Sequence, residues 1–280
     1  IWLPLIMKSI PTSLKNKKIL LRIDINSPTV KGKIQKNPRF DQAKKTIKYL
    51  SKKKAKIAIL AHQGRKNQKD FTQLDQHAKL LKIKYIKDLF GKKAQQAIKN
   101  LKPGKAILLE NTRNYPDEYS LNPNNYKKLC KQFDIFINDA FSVCHRKQAS
   151  IILAPKYLKS YAGPNLKQEL KILNKIKPNN KKSIYILGGE KPEDQLQLFS
   201  LLKNNKTLIL TAGVLGNLLL VERGYDLGYE NKWLQKNRYN KLIPKIKQLD
   251  IKFKSQIFAP VDFAFGNKKR IEKSLQKAPL

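Results

Sequence analysis

Acidic side chains are scarce in this chain. Twenty Asp and Glu stand against 59 Lys and Arg, a formal net charge of +39 over 280 residues. Sulfur is scarcer still, with two cysteines, Cys130 and Cys144, and one methionine, Met7. Two cysteines with no secretion signal exclude a disulfide scaffold and read as reduced cytosolic thiols, which sets the expected location as cytoplasmic. No apolar run approaches the roughly 20 residues of a membrane helix, so no membrane partner is expected. The apolar stretch Ile1 to Ile6 is too short for a secretory signal and has no basic region before it. We expect translation to start at Met7.

A charge this positive suits a polyanion partner. The lysines, however, are spread over every segment, and aromatics are not interleaved with them as stacking platforms would be. We therefore expect no specific nucleic-acid site, although non-specific affinity follows from the charge. The arginines are more informative. Only eight of the 59 basic residues are arginine. Lysine suffices where charge alone is needed; arginine is needed where a planar fork must grip phosphate or carboxylate at two points. Five of the eight lie in the first 146 residues: Arg22, Arg39, Arg65, Arg113 and Arg146.

Short apolar runs alternate with helix-period segments, which predicts α/β architecture with parallel strands covered on both faces. Expected strands are Lys18–Ile25, Lys56–Ala61, Lys105–Glu110 and Asp134–Asn138, with a weaker one at Lys84–Ile86. Phe40, Ala43, Ile47 and Leu50 form one helical stripe after Pro38. Leu74, Ala78 and Leu81 form another, with Thr72 as its expected N-cap. His77 lies in that helix among polar neighbours and reads as a solvated face. Ala154–Ala162 reads as irregular. A helix opening at Gly163-Pro164 carries Leu166, Leu170, Leu173 and Ile176 on one side, and a polar loop follows over 177–182. A second βα series then begins: strands at Ser183–Leu187, Leu208–Thr211 and Ile257–Val261, with helices bearing Leu196, Phe199 and Leu202, then Val214, Leu218 and Val221. The expected organisation is two doubly wound (Rossmann-like) domains, the second incomplete: 1–160, a linking helix 161–177, and 178–280.

Ligands of open parallel sheets bind beyond the carboxyl ends of the strands. Strand one leads into Arg22, Asp24, Ile25 and Asn26. Strand two leads into His62, Gln63, Gly64 and Arg65. The later ones lead into Glu110, Asn111 and Arg113, then Asn138, Asp139, His145 and Arg146. Arg39 precedes the first helix near the same edge. So many cations on one rim would repel each other unless an anion joined them, so a small phosphorylated anion is expected there. Cys144 beside His145 hints at a thiol nucleophile, but nothing completes such a site. In the second half, Gly188-Gly189-Glu190-Lys191 follows one strand and Ala212-Gly213 another. Gly pairs between strand and helix let backbone amides approach phosphate, and Lys191 adds charge.

Together these segments resemble the phosphoglycerate kinase family, its archaeal branch in particular. The matching stretches are LLRIDINSP, the Arg of NPRF, AHQGR, LLENTR, INDAFSVCHR, AGP, ILGGEK, LTAGVLGN with RGYDLG, and APVDFA, in the family's order from about Leu14 to Arg270. The resemblance implies two domains facing a cleft. The first would take 3-phosphoglycerate or 1,3-bisphosphoglycerate, the second ADP or ATP with Mg2+. It implies that Asp24 and Asn26 hold the triose, with Ile25, Gln63, Gly64 and His145 beside them. Arg22, His62, Arg65, Arg113 and Arg146 would form the basic patch. Arg39 and Lys191 would stabilise the phosphoryl group in flight, and Gly188, Gly189 and Gly213 would approach the nucleotide. No residues are expected to form a metal site of their own. The chain departs from the family pattern at Gln195, where a second Lys is usual, and at Gln63 and Lys66. The family's later glycine-rich loop has no counterpart in residues 240–280. The chain is thus expected to be a carboxyl-terminally truncated member, a half of a split enzyme, or a non-catalytic triose-binding remnant.

Overall fold

The computed structural model describes residues 9–121, 123–175, 183–201, 207–265 and 276–279. The expected start at Met7, the loop 177–182, Ile176 and Leu202 lie outside them. The chain divides into two compact units, Ile1–Ile176 and Lys177–Leu280.

The first unit is built on a six-stranded parallel sheet of order β5-β6-β4-β1-β7-β8. Its strands are β1 (Lys18–Arg22), β4 (Lys56–Leu60), β5 (Lys84–Tyr85), β6 (Ala106–Leu108), β7 (Ile135–Asn138) and β8 (Lys159–Ala162), while β2 (Thr29–Val30) and β3 (Lys33–Ile34) form a separate hairpin. The central strands are nearly continuous apolar runs because both faces are covered. Ile19 and Leu21 enter one core cluster and Leu20 the other. β1 ends earlier than its hydrophobicity predicts. After Arg22 the backbone turns out of the sheet, and the Asn26 amide donates to Asp24 Oδ1 at 2.9 Å, a local turn that competes with strand pairing. β8 was expected to be irregular. It is an edge strand in which Lys159 is exposed, Ser160 and Tyr161 are half-buried and only Ala162 is buried, so it lacks the apolar run that betrays a central strand.

The helix Pro38–Lys52 follows its sequence closely. Asn37 caps it by accepting from the Arg39 amide, a contact of the kind worth about 1 kcal/mol, and Phe40, Ala43, Ile47 and Leu50 are buried. The next helix, Asp75–Leu81, starts after Leu74 with no side-chain cap, and the Thr72 hydroxyl donates instead to the Gln73 carbonyl. His77 in that helix is fully buried, contrary to the solvated face expected of it. Helical period alone places it beside polar residues, but the helix packs with Phe40 on one side of His77 and Gln63 on another. The helix Pro164–Lys175 buries Leu166 and part of Leu170 against Ala162, Phe141 and Cys144, whereas Leu173 is exposed.

The second unit carries a three-stranded parallel sheet of order β11-β10-β9, from β9 (Ser183–Leu187), β10 (Thr207–Thr211) and β11 (Ile257–Phe258). A small antiparallel pair, β12 (Asp262–Phe265) with β13 (Gln276–Pro279), lies beside it in sequence. One face of the parallel sheet packs Leu187 and Ile209 on the helix Gly213–Glu222. On the other face, among the described residues, Ile184 is 64% exposed and Ile186 74%, with Leu208, Leu210 and Phe258 also exposed. The cover on both faces expected of the first unit's strands is present there.

Candidate active site

The parallel register brings four strand ends to one rim. Arg22 pairs with Leu60 of β4 and with Asn138 of β7, and Ile59 pairs with Leu108 of β6. The residues that follow these ends therefore meet at one level.

Arg22 lies beneath that rim and is fully buried. Its Nε donates to Ser150 Oγ at 3.1 Å, Nη1 to the Ile23 carbonyl, and Nη2 to His62 Nδ1 at 3.0 Å. Ser150 Oγ in turn donates to Glu118 Oε1 at 2.7 Å, and Tyr126 donates to Glu118 Oε2 at 2.6 Å. Glu118 is thus the buried counter-charge of Arg22, reached through Ser150. Sequence reading missed both, since neither stands at a strand end. Burial, then the fields of Arg22, Arg113 and Arg39, push the His62 imidazolium well below its ordinary range. His62 is therefore neutral at pH 7. An arginine can only donate, so Nδ1 is the acceptor and Nε2 carries the proton.

Gly64 joins three loops. Its amide donates to Asn26 Oδ1 at 2.8 Å, and its carbonyl accepts from Arg113 Nη1 at 2.5 Å. Its φ is +62°, and a Cβ there would sit 2.5 Å from the Asp70 carbonyl carbon, so only glycine fits. Burial and the charges of Arg22 and Arg65 lower the Arg113 pKa, and its Nε is buried with no hydrogen-bond partner. Arg39 reaches back from its helix to Asp24, with Nη1 to Oδ2 at 3.1 Å, and to the Asn26 carbonyl at 3.0 Å. Asp24 also accepts from Ser142 Oγ at 2.5 Å. A cavity of about 220 Å³ opens beside them, lined by Ile23, Asp24, Arg39, Asp139, Ser142 and Asn165 among others. A larger one of about 970 Å³ lies at the amino ends of β5 and β6 and contains no rim residue.

Arg65 and His145 are exposed and Arg146 is half-buried. Ile25 and Gln63 differ from the others. The Ile25 side chain belongs to the core, and Gln63 is fully buried with its amide spent on neighbouring loops. Cys144 is no nucleophile in waiting. Burial raises its pKa, and its thiol donates to the Ala140 carbonyl.

In the second unit the glycines serve the contact between two loops. Gly189 and Gly213 have positive φ, and a Cβ on Gly213 would meet the Gly189 amide nitrogen at 2.7 Å. The Val214 amide donates to the Gly189 carbonyl, and Gln195 Nε2 donates to the Gly188 carbonyl. Lys191 stands at the start of the short helix Pro192–Leu196.

A sequence model of the phosphoglycerate kinase family matches residues 8–279. The chain is 38% identical to the phosphoglycerate kinase of Methanothermus fervidus over 94% of its own length and 69% of that protein's. It is 36% identical to that of Thermococcus sibiricus, covering 92% of this chain and 67% of that one. Among solved structures, the phosphoglycerate kinase of Pyrococcus horikoshii superposes with a TM-score of 0.86 at 31% identity, over 95% of this chain and 69% of that one. With these matches and the rim geometry in agreement, the chain belongs to the phosphoglycerate kinase family.

Proposed function

We propose that the rim of the first unit binds 3-phosphoglycerate and 1,3-bisphosphoglycerate, and that the chain's reaction is the family's reversible phosphoryl transfer between 1,3-bisphosphoglycerate and ADP. The observation that carries this reading is the rim itself: Arg22, Arg39, Arg65, Arg113 and Arg146 with a neutral His62, held over the carboxyl ends of four parallel strands. A triose phosphate offers a phosphate and a carboxylate, two anions suited to arginine forks. Arg65, Arg113 and Arg146 bind them, with His145 at the edge. Arg22 acts from below by holding His62 Nε2–H toward the rim. Asn26, fixed by Gly64, and Asp24 orient the triose hydroxyl.

Phosphoryl transfer asks little covalent chemistry of a protein; positioning and charge stabilisation supply most of the rate. Arg39 lies next to the 220 Å³ cavity and, among the described residues, its guanidinium is tied to Asp24 and the Asn26 carbonyl, contacts it can exchange for a transferring phosphoryl group. Lys191 contributes charge from the second unit, and Gly188, Gly189 and Gly213 approach the nucleotide through their backbone. Among the described residues no three His, Cys, Asp or Glu side chains gather as a metal cage. Mg2+ carried on the nucleotide's phosphates would neutralise charge there.

Isothermal titration of 3-phosphoglycerate into the chain at low salt tests the reading. Binding should weaken as salt rises, and Arg65→Ala and Arg113→Ala should each weaken it further. Absence of binding by the wild type, or unchanged affinity in both variants, would refute it.

A further inference from the structure

The loop Gln63 occupies does two things at once. On either side of it in sequence stand rim groups, His62 and Gly64, while its own side chain points into the protein and is fully buried. Gln63 Oε1 accepts from the Ser27 amide at 2.9 Å and from His77 Nε2 at 3.0 Å. Gln63 Nε2 donates to the Ser27 carbonyl at 2.8 Å and to the Asp70 carbonyl at 2.9 Å. All four hydrogen-bonding positions of the amide are thus used. Its backbone is clamped too, between Asn111 Oδ1 and Nδ2. Ser27 follows directly on Asn26, whose side chain holds the Gly64 amide.

We propose that Gln63 is a positioning residue for the anion rim: its amide sets the register between the 23–28 turn and the 62–71 loop, and His77 fixes which way the amide faces. A flipped amide would set its NH2 against two N–H donors, Ser27 and His77. Among the described residues His77 serves no other polar group, since its Nδ1 is buried and has no hydrogen-bond partner there. Its depressed pKa keeps it neutral, and the contact with Gln63 Oε1 selects the tautomer with the proton on Nε2, which leaves Nδ1 bare. A buried histidine with one idle nitrogen is poor packing; as a single-donor peg for the Gln63 oxygen it has a purpose. Binary pattern and motif could not reveal this, because Gln63 reads as a neighbour of Gly64 and Arg65 at the rim and His77 as a surface residue.

The inference rests on the reading of this rim as a triose-phosphate site, and its test separates the two. Hydrogen exchange of the unliganded full chain is measured by mass spectrometry alongside titration of 3-phosphoglycerate. Gln63→Leu leaves Ser27 and His77 donors unpaired and should lower Tm. Gln63→Leu with His77→Phe removes the His77 donor as well and should restore only part of that Tm, since the Ser27 amide and the Ser27 and Asp70 carbonyls stay unpaired. The double variant should still exchange at least about 10-fold faster over 23–28 and 62–71, and bind 3-phosphoglycerate about 10-fold more weakly, because the loops have lost their tie. His77→Gln, which keeps an N–H within reach of Oε1, should retain wild-type affinity. A double variant with wild-type exchange in both segments would overturn the proposal and leave Gln63 as packing. If the wild type binds no 3-phosphoglycerate while exchange rises as expected, the substrate reading falls and the positioning role stands.

Discussion

Arg39 and Arg22 show how two arginines at one rim take different work. Arg39 is exposed and held by contacts it can give up, so it is expected to matter more in the transition state than in binding. In turnover assays run in the ATP-forming direction, Arg39→Ala should lower kcat by about 10²-fold with a smaller loss of 3-phosphoglycerate affinity. Arg39→Lys should recover little, because the fork is lost while the charge stays. A raised KM with unchanged kcat would make Arg39 a ground-state binder. Arg22 is buried, and its charge is met by Glu118 through Ser150. Glu118→Ala leaves that guanidinium uncompensated and should cost about 3 kcal/mol in chemical denaturation. A loss of only a few tenths would show that the backbone contacts of Arg22 suffice.

Among the elements, two helices are pinned by groups whose importance appears only on packing. Asp139, just past β7, accepts from Thr46 Oγ1, from the Asn165 amide and side chain, and from the Leu166 amide, and so caps the helix Pro164–Lys175. Asp139→Ala should destabilise the first unit by about 2 kcal/mol, read as a shift of its unfolding midpoint in urea. The helix Asp75–Leu81 carries His77, whose pKa is lowered by burial to about 4 from 6.5. Its folded form binds fewer protons than its unfolded form. Its contribution is therefore complete above pH 6.5 and declines as pH falls toward 4, by about 3 kcal/mol in all. The stability difference between wild type and His77→Phe should shift in the variant's favour over that window. A difference that stays constant from pH 6.5 to 4 would mean that His77 protonates freely.

At the scale of the molecule, the two units treat their parallel sheets differently. The first covers both faces; the second leaves Ile184, Ile186, Leu208, Leu210 and Phe258 exposed on one. An open apolar sheet face favours self-association despite the high net charge. Ile184→Lys with Ile186→Lys should cost little stability and should lower the association seen by sedimentation at high protein concentration. Equal association in the variant would place the contact elsewhere on the surface.

The α/β class, the central strands of the first unit and the strand-end arginines were legible in the residues themselves. Continuous apolar runs and helical stripes are local patterns, and glycine or arginine at a strand end answers to a local need of backbone or charge. The edge strand β8 was not legible, because only Ala162 of its four residues is buried and the stretch carries no apolar run. Nor were the duties of Gln63, His77, Glu118 and Asp139, whose side-chain partners lie 7 to 93 residues away. Whether a polar side chain serves the ligand or the scaffold depends on which distant donors and acceptors surround it once the chain is packed. Sequence determined where the charge would gather; tertiary structure decided which of those groups stand at the rim and which lie buried, holding the others in place.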